Sequence, residues 1–571
     1  MIVQDNRRLA NVKTRKEVGL DFVTQSLEII TPFGKNVLKN LSPFYPGQEE
    51  ELRAELDKVE TLIAFAEKNP SLTERLREVF MEVKDPVRTV EKSGKTVLSQ
   101  VDLYEVKLLL LQMRAILQIT RDHRAGDYRL HCCTGDAKGE ENDTTDLSAS
   151  VPEEYILEDT EEILDILDPR KERMNTFYIY DEFSSSLAEL RGRKREIELS
   201  IRKTQKEARE ELRKKYGIQL TPKFDIVMSR SHKDYELAKS LPELEITSED
   251  YMGVTLVLKP NEEVFRLTSE MENVELQIEE EEERVRADIS KKISLFRDPI
   301  LRNTERIGKL DFSLSKALFS IKHNLVKPEI TDEHMVQIVD GRNIQVEEVL
   351  KSKGKEYTPV SIELKEGVTV ITGANMGGKT ISLKLSGQIP VLSQYGFFVP
   401  AASAKVGLSN FIQMLIGDSQ SVERGLSSFG SEMEELKEIL DHAKERSLIL
   451  IDEIASGTNP SEGTALTKSL VDYLMTKPYI SLITTHFETV TERPDVVNMQ
   501  VTGLSNVDFD RLNREIRNKG RRERINIIAK YMDYRLRRVD EMKMVPKDAL
   551  NIATMLGLDV EIIEGAKKYI K

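Results

Sequence analysis

The stretch Val368–Thr372 (VTVIT) runs directly into GANMGGKT, and no other part of the 571-residue chain restricts its fold so strongly. Five consecutive apolar or β-branched residues predict a strand buried on both faces. Gly373, Gly378, Lys379 and Thr380 then fit the spacing G-x-x-x-x-G-K-[ST]. Glycines allow consecutive backbone N–H groups to turn inward on phosphates, and the segment ISLKLSGQIPVL predicts a helix that aims its positive end at them. A lysine at this spacing reaches the β- and γ-phosphates, and the following hydroxyl ligates magnesium. The element predicted is a parallel α/β sheet with a nucleotide at the end of one strand.

A second apolar strand, SLILIDEI (Ser447–Ile454), ends in two carboxylates about seventy residues further on. Asp452 is placed to hold Mg2+, and Glu453 to polarise an attacking water. A third strand, YISLITTH, ends at His486, which on this reading senses the γ-phosphate. Three strand ends around one nucleotide predict ATP and Mg2+ as the bound species and ATP hydrolysis as the activity.

The rest of the chain is helix-rich. Apolar residues recur at helical spacing from about Leu20 to Ile119, which predicts a helical core and lever domain over 1–135. From Asp136 to Glu162 there are eleven acidic residues and one Lys, the composition of a partly disordered acidic loop; the connector is expected over 136–185. Two charged helices follow, with thin stripes through Leu190, Ile197 and Ile201 and through Leu267, Met271, Val274 and Ile278. Spacings of three, four and seven predict an antiparallel coiled-coil hairpin over 186–300 with a small tip at 216–260. Returning lever helices are expected over 301–345, and the α/β ATPase domain over 346–571. Within it, Arg511–Arg538 has eleven basic and three acidic residues and predicts a basic helical segment, either a solvated face or a phosphate-backbone surface. The fold class predicted is thus α+β multidomain, helical lever and hairpin followed by a P-loop ATPase domain.

Composition removes several classes. The net charge of −14 means that any contact with nucleic acid must rest on a local basic surface. Cys132 and Cys133 are adjacent, giving neither a disulfide framework nor metal-ligand spacing. Neither a signal-peptide core nor an apolar run of membrane-spanning length is found, so a cytoplasmic location without membrane contact is expected.

These residues resemble the MutS family of ATPases, relatives of the ABC-type ATPases. TGANMGGKT is similar to that family's nucleotide loop, which brings Ala374, Asn375, Met376 and Gly377 into the expected site. IGDSQSVERGLSSFGSEM, LIDEIASGTNPSEGTAL and the tail YRL…ALNIATMLGL resemble a bacterial MutS paralogue without mismatch-recognition domains. The resemblance extends upstream through LDFSLSKA and TPFGKNVLKNLSP. It implies a homodimer in which Ser427 and Ser428 approach the partner's γ-phosphate, and a Gln394 that couples the nucleotide to the levers. It ends at the ATPase segment, so the paralogue's nuclease-like tail is expected to be absent. Two functions follow: a DNA-acting clamp of repair or recombination type, contacting DNA through Arg511–Arg538 weakly and with strong salt dependence, or an ATP-driven remodeller of a protein client such as a cobalamin-dependent aminomutase. The tip, with seven acidic and five basic residues, is a poor DNA clamp.

Overall fold

The computed structural model describes residues 9–125, 150–373, 378–417, 428–487, 490, 493, 495–504, 507–516, 519–539 and 548–569. Cys132, Cys133 and the acidic stretch up to residue 149 lie outside them. The chain divides into two compact units, one of residues 82–119 and 157–305 and one of residues 1–81, 120–156 and 306–571.

In the first unit, helices Ser185–Tyr216 and Glu262–Leu295 pair along their length. The Ser184 hydroxyl caps one by accepting from Leu187 N–H, and Asn261 Oδ1 caps the other by accepting from Val264 N–H. The seam is narrow: Ile197, Leu267 and Val274 are buried, with Leu190, Ile201, Met271 and Ile278 packed around them. Flanking ion pairs join the helices, Arg191 with Glu282 at 2.7 Å and Lys194 with Glu275 at 2.8 Å. Gly217, at a φ of 71°, ends the first helix in the left-handed conformation that suits glycine. The intervening segment folds on its own core. Strands β1 (Asp225–Ser229), β2 (Leu244–Glu249) and β3 (Gly253–Leu258) form an antiparallel sheet in the order β1-β3-β2. Met228, Val254 and Leu256 pack from it onto Tyr235 and Ala238.

The second unit is built on two sheets. Strands β4 (Glu329–Thr331), β5 (Met335–Gly341), β6 (Val360–Lys365) and β8 (Ser403–Gly407) make a four-stranded sheet in the order β4-β8-β5-β6. Strands β7 (Gly367–Thr372), β9 (Phe411–Ile416), β10 (Ser447–Asp452), β11 (Tyr479–Thr484), β12 (Val497–Gly503) and β13 (Asp533–Arg538) make a six-stranded sheet in the order β13-β12-β7-β11-β10-β9. All neighbours in it are parallel except β12 and β13. Alternate residues serve two cores. Leu448, Leu450, Ile480 and Leu482 face one cluster, and Ile449, Ile451, Ile483 and Val370 the other. Burial on both faces explains why these strands are uninterrupted apolar runs.

Four expectations need correction. The amino-terminal helices are not a separate body: Val18, Leu20, Val23 and Leu27 join the cluster of Ile389, Leu392 and Met414, and residues 1–81 belong to the unit that carries the sheets. The returning helix, Arg297–His323, stops well short of 345, because the chain beyond it forms the short strand β4 and then β5, where alternating apolar residues such as Val336 and Ile338 are buried. Of the acidic connector, residues 150–167 are structured: Val151, Tyr155 and Leu157 are buried between the carboxylates, and helix Glu161–Leu167 follows. The basic segment is not one helix but helices Phe509–Ile516 and Arg521–Tyr531 over a small apolar core, closed by the edge strand β13. In β13, Tyr534 and Leu536 pack inward while Arg535 and Arg537 are exposed, and charged residues on an edge strand discourage further pairing.

Two of the three chain crossings between the sheets meet one side chain. His334, with its side chain 3% exposed, places Nδ1 3.2 Å from Glu366 between β6 and β7, and Nε2 3.3 Å from Ser409 between β8 and β9. Burial, with the Arg446 charge adding to it, pushes the His334 pKa down to about 4 despite Glu366. The unfolded chain, with a His pKa of about 6.5, therefore binds more protons between these values. Stability from this group is complete above about pH 6.5 and declines as pH falls towards 4, by at most about 3 kcal/mol. The unfolding free-energy advantage of the wild type over His334→Asn should shrink between pH 7 and pH 4.5 in urea titrations; a difference independent of pH would contradict the assignment.

Candidate active site at three parallel strand ends

Three adjacent strands bring the site together. In the pairing register, Asp452 at the end of β10 is level with Thr484 at the end of β11, and Thr484 is level with Ile371 of β7. Gly373 and Glu453 are therefore the first residues beyond one edge of the sheet, Asp452 is the last within it, and His486 stands two residues past the end of β11. The carboxyl ends of parallel strands are where α/β sheets collect ligands, since the loops there diverge and helices begin. Helix Gly378–Gln394 begins at that edge, with Gly378 packed so closely on β12 and β13 that a Cβ there would sit 3.1 Å from Tyr534 and 3.3 Å from Val501. Gly373 has a φ of 121°, a backbone conformation open to glycine.

The polar groups interlock. Lys379 Nζ donates to the Gly373 carbonyl at 2.8 Å and lies 3.0 Å from Glu453 Oε1, while its side chain is only 4% exposed. Thr380 Oγ1 donates to Asp452 Oδ2 at 2.9 Å. Thr484 Oγ1 donates to the other Asp452 oxygen and accepts from Glu453 N–H at 3.1 Å, and the Thr484 carbonyl accepts from the same N–H at 3.0 Å. One hydroxyl thus orients both carboxylate residues. Gln500 of β12, level with Thr372, lies against Gly373 and keeps a buried amide oxygen without a hydrogen-bond partner among the described residues. The residues present fit a triphosphate with Mg2+: a positive helix end, a buried ammonium, a hydroxyl and a carboxylate as hard oxygen donors, and a second carboxylate beside them.

Of the residues expected from the sequence, Gly373, Gly378, Lys379, Thr380, Asp452 and Glu453 converge. His486 stands at the same edge, exposed, its ring 4.3 Å from that of Phe487. Ser428 is the first residue of helix Ser428–His442. Ala374, Asn375, Met376, Gly377, Ser427 and the Ser428 side chain lie outside the described residues. Gln394 is elsewhere. It ends the helix that begins at Gly378, where its amide donates to the carbonyls of Phe44 at 2.8 Å and Ser409 at 2.9 Å and accepts from Ser409 N–H at 3.0 Å. Two residues were missed. Thr484 reads as an ordinary β-branched strand residue. Glu432 reads as one of many charges on its helix, yet it lies among the inward residues Phe429, Met433 and Leu436. Its carboxylate accepts from Ala455 N–H at 3.2 Å, and burial holds its pKa above the ordinary carboxylate range.

Residues 369–570 match the family model of MutS domain V. Endonuclease MutS2 of Clostridium botulinum (strain ATCC 19397 / Type A) is 35% identical over 238 residues, 41% of this chain and 29% of that protein. Endonuclease MutS2 of Caldanaerobacter subterraneus subsp. tengcongensis is 30% identical over 325 residues, 56% of this chain and 37% of that protein. Endonuclease MutS2 of Agathobacter rectalis is 32% identical over 321 residues, again 56% and 37%. The matched region spans about a third of the length of these relatives. Residues 369–570 are a MutS domain V, an ABC-type ATPase domain, and the chain is a distant, partial homologue of the MutS2 branch.

Proposed function

We propose that the chain hydrolyses ATP with Mg2+ and uses the turnover to act on DNA. The observation that carries the first half is the aligned trio of strand ends, where Lys379 pairs with Glu453 at 3.0 Å and Thr380 with Asp452 at 2.9 Å. Backbone N–H groups of Gly373–Thr380, Ala374 to Gly377 included, receive the phosphates, and Lys379 binds the β- and γ-phosphates. Thr380 and Asp452 would hold Mg2+, which would supply positive charge against the phosphates. Glu453 takes the proton of the attacking water, and His486 contacts the γ-phosphate from the neighbouring strand end. Two copies close face to face, with Ser427 and Ser428 of each completing the other's site.

Lys379→Ala should abolish nucleotide binding, since the ammonium is the buried positive charge of the loop. Glu453→Gln should bind ATP but turn over at least about tenfold more slowly, the loss expected of a general base. The same variant, trapped with ATP, should sediment as a dimer with Mg-ATP and as a smaller species without it. Turnover at the wild-type rate would remove Glu453 from the role, and one unchanged species in both conditions would remove closure of the pair.

The DNA half is supported by the endonuclease name that the matched relatives carry and by the exposed side chains of Arg511, Lys519, Lys530, Arg537 and Arg538. Their attraction is opposed by a chain charge of −14, so binding should be modest and indifferent to mismatches. Counterion release makes it fall by orders of magnitude between low and physiological salt if roughly six to ten phosphates are engaged. Replacing Arg511, Lys519 and Lys530 with Glu should eliminate it while leaving basal ATPase intact, as read by titrations on matched and mismatched duplexes at two salt concentrations. No binding at low salt would redirect the reading to a protein client.

A further inference from the structure

The chain beyond β10 turns in a conformation that non-glycine residues rarely adopt. Glu453 has a φ of 50° and Ala455 a φ of 59°, both left-handed, with Ile454 between them only 2% exposed in the core. Left-handed backbone at two residues so close together persists only where the surroundings over-determine it. The Glu453 N–H is fixed by the carbonyl and hydroxyl of Thr484 at 3.0 and 3.1 Å. The Ala455 N–H is fixed from the opposite side by Glu432 Oε2 at 3.2 Å. The result sets Glu453 Oε1 3.0 Å from Lys379 Nζ.

Glu432 is an unusual choice for this task. The inward stripe of its helix is Phe429, Met433, Leu436, Ile439 and Leu440, and Glu432 falls within that stripe, where a helix of this pattern takes an apolar residue. A carboxylate half-withdrawn from water needs a donor, and Ala455 supplies one. Its other oxygen lies towards Gly417 at the end of β9, the strand paired with β10 level with Asp452.

We infer that Glu432 is a positioning residue for hydrolysis: by holding the Ala455 N–H it maintains the left-handed turn that aims the Glu453 carboxylate. The inference rests on the reading of Glu453 as general base. What the turn requires of residue 432 is an acceptor at the right reach. Negative charge is not required, because the donor is a neutral amide.

Two variants of the full chain separate reach from charge. Glu432→Gln keeps an acceptor at full length without charge, and its kcat should stay within about threefold of wild type. Glu432→Asp keeps the charge but withdraws the acceptor by one methylene, and its kcat should fall at least about tenfold, the scale of a misplaced catalytic group. Affinity for a fluorescent ATP analogue should change less than about threefold in both, since Lys379, Thr380 and Asp452 are untouched. Adding Ala455→Gly to the Asp variant should recover part of the rate, because glycine adopts the left-handed conformation without the Cβ penalty. An Asp variant as fast as wild type, or a Gln variant as slow as the Asp variant, overturns the positioning role. Loss of affinity in step with kcat does the same. Wild-type protein without Mg-ATP hydrolysis, or Glu453→Gln at full speed, overturns the general-base reading and this inference with it.

Discussion

Asp452 is level with Thr484, and Thr484 with Ile371, across three parallel strands joined by hydrogen bonds. That alignment decides where every polar group of the site can stand. A slip of one residue in either pairing would turn Asp452 or Thr484 into a core face, because side chains alternate along a strand. The register is fixed by Leu448, Leu450, Leu482 and Ile449, Ile451, Ile483, which divide between two apolar clusters and leave no room for a slip. Burial therefore fixes the backbone, and the backbone delivers the carboxylates. The Thr484 hydroxyl completes the arrangement by donating to one carboxylate and accepting from the next residue's amide.

Buried polar side chains carry this order outward. Gln394 closes the far end of the helix that starts at Gly378, binding the backbone at Phe44 and Ser409. Ser409 in turn meets His334, which reaches Glu366 at a second crossing between the sheets. Lys316, 2% exposed, is satisfied by Glu55 at 3.1 Å and the Gly396 carbonyl at 3.1 Å, between the rings of Phe312 and Phe397. Asp311, five residues before it, accepts from the Ile30 and Thr31 amides and the Thr31 hydroxyl. Each of these groups would be costly to bury unpaired, so each specifies one mutual arrangement of helix and sheet. The amino-terminal helices and the sheets are consequently parts of one body, although the whole amino-acid order of the hairpin lies between them.

The site was legible where chemistry demands particular residues at particular spacings. Gly373, Gly378–Thr380, the carboxylate pair after SLILI and His486, two residues past β11, needed no structure to be placed at one sheet edge. Thr484 was hidden because threonine is common in strands, and only its partners reveal its task. Glu432 was hidden because its neighbours Glu434 and Glu435 are also acidic, so a single inward carboxylate is invisible without the packing of Phe429 and Leu436. Partition of the amino-terminal helices was hidden for a different reason. Amphipathic periodicity shows which face is buried, never against what, and their partners Ile389 and Met414 are hundreds of residues away. In β13 the arginine count masked an alternation of Tyr534 and Leu536 with Arg535 and Arg537, a period of two that composition alone does not show.

The claim on which the account stands is that one hydroxyl on the middle strand orients both carboxylates of the candidate site. Thr484→Val keeps the shape and the β-branch of the side chain and removes only the hydroxyl. Mg2+-dependent ATP hydrolysis of this variant, titrated over metal concentration, measures its effect on Asp452 and Glu453 together. The account predicts a rise in the Mg2+ concentration needed for half-maximal rate and a fall in kcat, each on the order of tenfold, the usual scale for groups that orient metal ligands. An unchanged metal requirement together with an unchanged kcat would show that Asp452 and Glu453 are held without Thr484, and would contradict it.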